Sequence, residues 1–200
     1  MTMPHRMLLR LLPIAFCVAG LAGAALAAGP VRPQVAAGGI EEGGGHSLAL
    51  DVNGTLRGWG SDSYGQLASG RPLQLTKPGA VAATGTFIGI AAGASHNLAL
   101  RNDGTVWAWG ENELGQLGDG TTLSRPAPVR IGAGFAALSA GGSHSIALKT
   151  DGSIWAWGEN GDGQLGDATK LSRSIPVLIG MGYAAVAAGN SHSLGLRVDG

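Results

Sequence analysis

The sequence predicts an all-β fold, a β-propeller built from four-stranded antiparallel blades, on three observations. Histidine recurs at steps of 50, 48 and 48 residues. A tryptophan and a Gly-Gln-Leu triplet keep the same steps, and repetition of this length is typical of arrays of similar units. Glycine supplies 36 of the 200 residues, about two and a half times its usual ~7%, which suits tight turns between short strands. The recurring residues are His46, His96, His144 and His192, then Trp59, Trp109 and Trp157, and the triplets at 65–67, 115–117 and 163–165.

The first element, residues 1–28, is predicted to be a secretory signal peptide. Arg6 and Arg10 precede the apolar run 11–26, and the small-residue sequence around Ala27 follows it. We expect cleavage after Ala27 or Ala28 and a secreted or periplasmic protein. A membrane anchor is the alternative, but the run is short for a span of ~20 residues. Lipidation at Cys17 is disfavoured because Phe16 stands where small residues are expected.

Charge and cysteine content narrow the classes of partner. Basic and acidic residues number 13 each, and removal of the signal peptide leaves 11 basic against 13 acidic. Neither nucleic acid nor an anionic membrane surface is an expected partner of the processed chain, because both need a concentrated basic footprint. Cys17 is the only cysteine, so the processed chain would carry no thiol. We expect no cofactor and no metal.

The remaining chain divides into a linker and repeats. Residues 29–45 are interpreted as a linker running into a degenerate first strand, with Glu41 and Glu42 standing where later units have Ala-Ala. Residues 46–200 hold the propeller repeats, as units of about 35–86, 87–134 and 135–182 and a partial unit 183–200. The partial unit ends at the tip of its first hairpin.

Each unit is predicted to contain strands and not helices. Residues 96–100 alternate with period two, which places His96, Leu98 and Leu100 on one face. The turn at 102–104 contains Asp-Gly, a sequence that tolerates positive φ. Residues 105–109 return as a second strand, 128–131 form a short third strand, and 135–140 form a fourth.

The pattern A-A-G-x-S-H-x-L-A-L-x-x-D-G-x-V-W-A-W-G-x-N-x-x-G-Q-L-G resembles the regulator of chromosome condensation repeat. The resemblance covers about residues 36–200 and implies a seven-bladed propeller, of which about three and a half blades are present. In context the chain resembles the exported bacterial members of that family. The first unit departs from the pattern, with Arg57-Gly58 in place of Trp-Ala and Ala68-Ser69 in place of Gly-Asp.

Comparison of the repeats separates residues that serve the fold from residues free for function. Trp59, Trp109 and Trp157 recur in every complete unit and are expected to pack between blades. Trp107 and Trp155 are absent from the first unit, so either packing or ligand contact would explain them.

The position before Gly-Gln-Leu holds a different residue in each unit, and varied side chains on a rigid scaffold suit a binding face. The candidate partner-binding residues are therefore Tyr64, Leu114, Asp162, Trp107 and Trp155. Drift at exposed loop positions is the alternative explanation, and Asp62, Asn112 and Asn160 beside them stay polar.

The other conspicuous polar residues are expected to be structural. Zinc needs its ligands within ~2 Å of one point, whereas equivalent positions in stacked sheets are roughly 10 Å apart. Each repeat histidine is therefore expected to be hydrogen-bonded within its own blade. Asp119 and Asp167 are interpreted as turn formers. We find no nucleophile, paired carboxylates or phosphate loop that escapes the repeat pattern, so no catalytic residues are predicted.

The sequence thus favours a non-catalytic, exported scaffold that binds a protein partner through loops on one face. A cell-envelope carbohydrate-binding module or enzyme is the alternative. The family's name-giving nuclear member activates a small GTPase on chromatin, but that role is not implied for a chain with an export signal, no basic tail and evenly spaced repeats. Two interpretations of the partial last unit stay open: a fragment of a seven-bladed protein, or a half that self-associates through its open edge.

Overall fold

The computed structural model describes residues 31–38, 45–70 and 74–200, and this part of the chain contains strands, turns and loops but no helix. The strands are β1 (Gln34–Gly38), β2 (His46–Leu50), β3 (Leu56–Gly60), β4 (Leu75–Ala80), β5 (Phe87–Ala92), β6 (His96–Arg101), β7 (Val106–Gly110), β8 (Arg125–Gly132), β9 (Phe135–Ala140), β10 (His144–Lys149), β11 (Ile154–Gly158), β12 (Arg173–Gly180), β13 (Tyr183–Ala188) and β14 (Ser193–Arg197).

These strands form sheets of consecutive neighbours, all paired antiparallel. The sheets are β1-β2-β3-β4, β5-β6-β7-β8, β9-β10-β11-β12 and the hairpin β13-β14. We call the three four-stranded sheets the first, second and third blades. The predicted all-β fold with four-stranded antiparallel sheets is confirmed.

Two of our sequence predictions disagreed on one strand. The unit bounds placed Phe135–Ala140 at the start of the unit 135–182, whereas the strand count placed it fourth in the sheet that contains His96. It pairs with β10 as the first strand of the third blade, so the strand count was wrong. The sheet that contains His96 is completed instead by Phe87–Ala92, which pairs with β6. A strand that ends one repeat and a strand that begins the next are adjacent in sequence, so alternation alone does not tell them apart.

Consecutive blades pack face to face. Because strand side chains alternate between faces, Leu98 and Leu100 of the second blade point toward the third blade and bury against Trp157. Ala99 and Trp109 point the other way, into the cluster shared with the first blade. Each interface between complete blades is therefore a hydrophobic core of its own. Full burial of one such large apolar side chain stabilises the fold by roughly 1.5–3 kcal/mol.

Asp-Gly and Asn-Gly turns join the second and third strands of the complete blades. Gly54, Gly104 and Gly152 have φ of 77°, 77° and 80°, as expected for turns that need the left-handed region. In the second blade the Asp103 carboxylate accepts hydrogen bonds from the Thr105 amide (2.9 Å) and hydroxyl (2.6 Å). The turn is thereby closed by its own side chains.

The segment predicted as a linker running into a degenerate first strand contains the regular strand β1. β1 pairs with β2 from Gln34 opposite Leu50 to Gly38 opposite His46. The Gln34 side chain also reaches the second blade, where its amide nitrogen donates to the Ile88 carbonyl (3.0 Å) and its amide oxygen accepts from the Ile90 amide (3.2 Å). The predicted signal peptide and the Glu41-Glu42 pair lie outside the described residues. Within residues 31–38, 45–70 and 74–200, no helix has the length and apolar character needed to cross a membrane.

Gly118 shows how tightly the blades approach one another. Its φ is +79°, and a Cβ there would lie 2.7 Å from the indole nitrogen of Trp157. Gly166 holds the same position in the third blade with φ +76°, but its nearest neighbour would be the Ile179 Cγ2 atom at 3.4 Å. The first blade has Ala68 here, with φ reduced to 45°, so an alanine is accommodated when the backbone adjusts.

We predict that Gly118→Ala destabilises the protein more than Gly166→Ala. Both substitutions place a side chain in the left-handed region, at a cost of roughly 1–2 kcal/mol. Only Gly118→Ala also pushes against a buried indole, which adds about 1–3 kcal/mol of overpacking. Urea unfolding of the two variants measures the difference, and equal losses would show that the Trp157 contact does not limit this position.

Candidate functional site: loops at one end of the blades

Long loops leave the third strand of each blade at the same end of the molecule. We call residues 61–70, 111–124 and 159–172 the upper loops; the first continues through 71–73, outside the described residues. They contain Tyr64, Leu114 and Asp162, the three variable positions. Because the topology repeats from blade to blade, these three positions occupy equivalent places in consecutive blades.

A buried amide organises the second and third upper loops. The Asn112 side-chain nitrogen donates to Asp119 (3.1 Å) and to the carbonyl oxygens of Thr121 (3.1 Å) and Leu123 (3.1 Å). Its oxygen accepts from the Leu117 amide (2.9 Å), so one side chain ties four points of the loop. Asn160 repeats the arrangement with Asp167 and Leu165.

The first upper loop makes two of the corresponding hydrogen bonds, one of them with donor and acceptor exchanged. Asp62 replaces the asparagine and accepts from the Leu67 amide (2.8 Å) and from the Ser69 hydroxyl (2.6 Å). Ser69 stands where the other loops have an aspartate, so the departure of the first unit from the repeat pattern is a compensated pair. Asp62, Asn112 and Asn160 are buried; they stay polar because they hold the loops and are not available to a partner.

The Asp119 and Asp167 carboxylates have a larger role than turn formation. Arg125 lies 2.6 Å from Asp119, and Arg173 lies 2.8 Å from Asp167. Burial raises the pKa of Asp119, but hydrogen bonds from Thr121 and Arg125 outweigh it and leave the pKa below its usual value. The Thr169 hydroxyl lowers the pKa of Asp167, with Arg173 adding to the effect. Both carboxylates are therefore ionised at neutral pH and paired within their loops.

The glutamine of each Gly-Gln-Leu triplet fixes the backbone of the variable residue. The side-chain oxygens of Gln66, Gln116 and Gln164 accept from the amides of Tyr64 (2.8 Å), Leu114 (3.0 Å) and Asp162 (3.0 Å). The glutamines are buried, whereas Tyr64 and Leu114 are each 40% exposed and Asp162 is exposed. A rigid backbone thus presents a different side chain from each blade.

The surroundings of the variable residues are acidic and partly apolar. The described parts of the upper loops contain Glu111, Glu113 and Glu159 besides Asp162, and Lys170 is the basic residue among them. Burial raises the pKa of Glu111, and the nearby Glu113 carboxylate adds to the rise. Leu123 and Leu171 are each 64% exposed, and our sequence reasoning missed them. Their signal was a leucine repeated in an otherwise polar loop, at Thr-Thr-Leu-Ser and Thr-Lys-Leu-Ser.

Trp107 and Trp155 lie away from the upper loops. Each follows a hairpin turn at the start of its strand, so it sits toward the opposite end of the blade. The Arg101 guanidinium carbon lies 3.9 Å from the Trp107 ring centroid, and the Lys149 ammonium nitrogen 4.0 Å from that of Trp155. Their indole nitrogens donate to Thr105 and Ser153. The five predicted site residues therefore fall into two groups, and only Tyr64, Leu114 and Asp162 share one end.

Trp109 and Trp157 are fully buried between blades, as expected. Their indole nitrogens donate to the carbonyl oxygens of Gln66 and Gln116 in the preceding blade, each at 2.9 Å. Trp59, which has no described blade before it, is half-buried.

The repeat histidines bond between blades, and the prediction of bonds within a blade was wrong. His46 Nε2 lies 2.7 Å from the Asn97 side-chain oxygen, and His96 Nε2 lies 2.9 Å from the Ser145 hydroxyl. Ser145 donates its proton to the Gln116 carbonyl (2.8 Å), so His96 must be the donor to Ser145. The histidine sits at the start of its strand and points toward the next blade, which sequence alternation did not reveal.

Burial makes these histidines resist protonation. It lowers the pKa of His96 to about 3, and the charges of His46 and His144 add to the shift. Burial likewise lowers the pKa of His144 to about 4, with His192 contributing. His96 Nδ1 has no hydrogen-bond partner, so a second proton there would be buried without an acceptor. In the described part of the chain, no three metal-binding side chains cluster.

Comparison with known proteins identifies the family. The sequence model described as "Regulator of chromosome condensation (RCC1) repeat" matches residues 53–100, 103–148 and 151–196, and a second model of the same description matches 34–66, 87–116 and 135–164. The chain belongs to the RCC1 repeat family. A 47-residue stretch is 55% identical to human HERC6, named "Probable E3 ubiquitin-protein ligase HERC6", and covers 22% of this chain and 5% of that protein.

Solved structures of RCC1-type β-propellers share the fold. Human WBSCR16 superposes with a TM-score of 0.71 at 28% identity, covering 84% of this chain and 45% of that one. Prp20p from Saccharomyces cerevisiae, studied for its binding to Gsp1p and histones, gives 0.69 at 23% identity, over 76% of this chain and 42% of that one. The RCC1 repeat chain thus spans less than half the length of these relatives, and the predicted β-propeller fold is confirmed.

We predict that the protein loses stability as the pH falls below about 6.5, the usual histidine value in the unfolded chain. His96 and His144 have folded-state pKa values of about 3 and about 4, so acid favours the unfolded state. The contribution of the two neutral histidines to the free energy of unfolding is complete above pH 6.5. Below it, each histidine removes up to about 1.4 kcal/mol per pH unit. Urea unfolding at pH 7.5 to 4.5 measures the slope.

The variant His96→Gln supplies the control, because glutamine does not titrate. Whatever its stability at pH 7.5, its slope between pH 6 and 4.5 should be shallower than that of the natural protein by about 1.4 kcal/mol per pH unit. An identical slope in the two proteins would contradict a buried, neutral His96.

Proposed function

We propose that this RCC1 repeat protein is an exported, non-catalytic scaffold that binds a protein partner through its upper loops. The observation that carries the proposal is the contrast within each loop. Asn112 and Gln116 are buried and hydrogen-bonded to the loop itself, while Leu114 between them is exposed and differs from its counterparts. Rigid elements that present varied side chains are what specific recognition requires.

The chemistry of the surface favours a protein with a basic and apolar face. Tyr64, Leu114, Leu123 and Leu171 offer exposed apolar area, and tyrosine is enriched in protein interfaces. The surrounding carboxylates favour a partner that carries lysine or arginine, and charges at the rim of an interface raise association rates more than affinity. Prp20p, a relative in fold, binds Gsp1p and histones, which is consistent with a protein as the kind of partner.

The partner proposal is tested with immobilised residues 29–200 in extracts of the source cells and their medium. We expect specific proteins to be captured and then lost with the combined variant Tyr64→Ala, Leu114→Ala, Asp162→Ala. A matched control, Leu178→Ala with Met181→Ala, removes exposed apolar side chains from the outer strand and the following turn, and should keep the partner. Capture unchanged by the loop variant would contradict the proposal. Binding to a glycan array with no protein captured would favour the carbohydrate-binding alternative.

Export is a separate prediction. The full chain, expressed in a bacterium, should accumulate in the periplasm or medium with Ala28 or Gly29 as its first residue. N-terminal sequencing of the purified protein checks this. A cytoplasmic protein that retains residues 1–28 would contradict export and leave the loop proposal to its own test.

A further inference from the structure

The hairpin turn of the first blade carries the tripeptide Asn53-Gly54-Thr55. Asparagine followed two residues later by serine or threonine is the acceptor sequence for N-linked glycosylation, provided that the residue between them is not proline. Asn53 is the only one of the chain's six asparagines that stands in such a tripeptide. Tripeptides of this kind also occur by chance, and what distinguishes this one is the way its turn is built.

In the second and third blades the matching turns are closed by hydrogen bonds among their own side chains. Asp103 accepts from the Thr105 hydroxyl (2.6 Å), and that hydroxyl accepts in turn from the Trp107 indole nitrogen (3.1 Å). The third blade repeats both bonds, at 2.6 and 2.9 Å, in Asp151, Ser153 and Trp155. In both blades the hydroxyl is therefore held between a carboxylate and an indole.

Three residues of the first blade depart from this pattern together. Arg57 replaces the tryptophan, Asp51 replaces the cation that covers its ring, and Asn53 replaces the aspartate. The Asp51 carboxylate accepts from the backbone amides of Asn53 (2.9 Å) and Thr55 (3.0 Å). The hydrogen bond from Thr55 lowers the pKa of Asp51, and the positive charge of Arg57 adds to the effect. Asp51 thus closes the turn in place of the residue at position 53.

This exchange leaves both side chains of the acceptor sequence at the surface. Asn53 and Thr55 are exposed, whereas Thr105 is half-buried and Ser153 is buried. Within the residues that the structure describes, the hydrogen bonds of Asn53 involve its backbone and not its side-chain amide. Arg57 also stands where the other blades have the indole that holds the hydroxyl. The first blade therefore presents an accessible asparagine amide and an accessible threonine on a turn whose backbone is fixed.

We propose that Asn53 is an N-glycosylation site whose donor is an oligosaccharide carried on a lipid diphosphate. The Asn53 side-chain nitrogen forms a bond to the anomeric carbon of the sugar, and the bond from that carbon to the diphosphate oxygen breaks. The lipid diphosphate leaves, and an oligosaccharyltransferase takes up one amide proton. The site rests on the export that is part of the proposed function, because this reaction modifies exported proteins.

The position of the turn is compatible with the proposed scaffold role. The turn joins β2 to β3 at one end of the blade, and the upper loop leaves the other end of β3. A glycan on Asn53 would therefore lie away from Tyr64, Leu114 and Asp162 and would leave them accessible to a partner.

The reaction is tested on the folded full chain with a purified oligosaccharyltransferase and its lipid-linked oligosaccharide. The intact mass should rise by one oligosaccharide, and peptide mapping should place it on Asn53. Asn53→Gln and Thr55→Ala should lose the added mass, whereas Thr55→Ser keeps a hydroxyl and should retain it. Urea unfolding checks that the variants are folded. Modification that persists in Asn53→Gln, or none in the natural chain, would overturn the proposal.

Asp103→Asn supplies a matched control, because it creates the same tripeptide in the second blade. The new asparagine oxygen can still accept from Thr105, and the Trp107 indole can still donate to the hydroxyl. Modification at position 103 should be about tenfold slower than at Asn53 in the same molecule, since two hydrogen bonds must break before Thr105 is available. Each rate is divided by that of the matching peptide, 50–57 or 100–107, to remove the effect of flanking residues. Equal normalised rates would contradict the role of the exchange at Asp51 and Arg57.

Protein purified from the source cells and their medium supplies the second measurement. A chain that begins at Ala28 or Gly29 and carries a glycan on Asn53 would support the proposal. A processed chain without a glycan would overturn it and leave export intact, and so would conversion of Asn53 to aspartate, which would show deamidation at Asn53-Gly54 instead. A chain that retains residues 1–28 would contradict export, and the reaction with the purified transferase would then decide the site by itself.

Discussion

The structure depends on one interaction that is made twice between complete blades. A tryptophan indole is buried against the preceding blade, and its N–H donates a hydrogen bond to the backbone carbonyl oxygen of a glutamine there. The ring of Trp109 or Trp157 lies in the apolar cluster at its interface, and the carbonyl satisfies the indole N–H, which burial would otherwise penalise. The same carbonyl also accepts from Asn97 or Ser145, each of which is bonded to the histidine of the preceding blade. Indole, histidine and glutamine therefore form one joint between blades.

This joint connects the fold to the proposed function. Gln116 receives the next blade through its backbone and holds the Leu114 amide through its side chain. The same residue that is fixed at the interface therefore also fixes the backbone of the exposed Leu114. The residues that repeat from blade to blade form this framework. The variable side chains of the upper loops are not part of it, so they can differ between blades.

Much of the fold could be predicted from the sequence, because each blade repeats the same pattern. Period-two alternation placed His96, Leu98 and Leu100 on one face, and Asp-Gly located the turns.

The assignment of Phe135–Ala140 to the wrong blade arose because a repeat can be divided at more than one point. The direction of the histidine bonds could not be predicted, since alternation tells which residues share a face but not which blade that face meets. The sequence showed only that Asn112 and Asn160 stay polar, and their burial follows from hydrogen bonds that only the folded loop reveals. Trp107 and Trp155 were grouped with the loop residues by their variability, although their place on the strand puts them at the other end.

Hydrogen exchange of the five indole N–H groups, followed by NMR in one sample, tests the joint most directly. Trp109 and Trp157 donate to buried carbonyls between blades, whereas Trp59 is half-buried with no described blade over it. We predict that the Trp109 and Trp157 indole protons exchange about a hundredfold or more slowly than that of Trp59, because their release requires two blades to separate. Exchange of all three at similar rates would contradict an indole joint that holds the blades together.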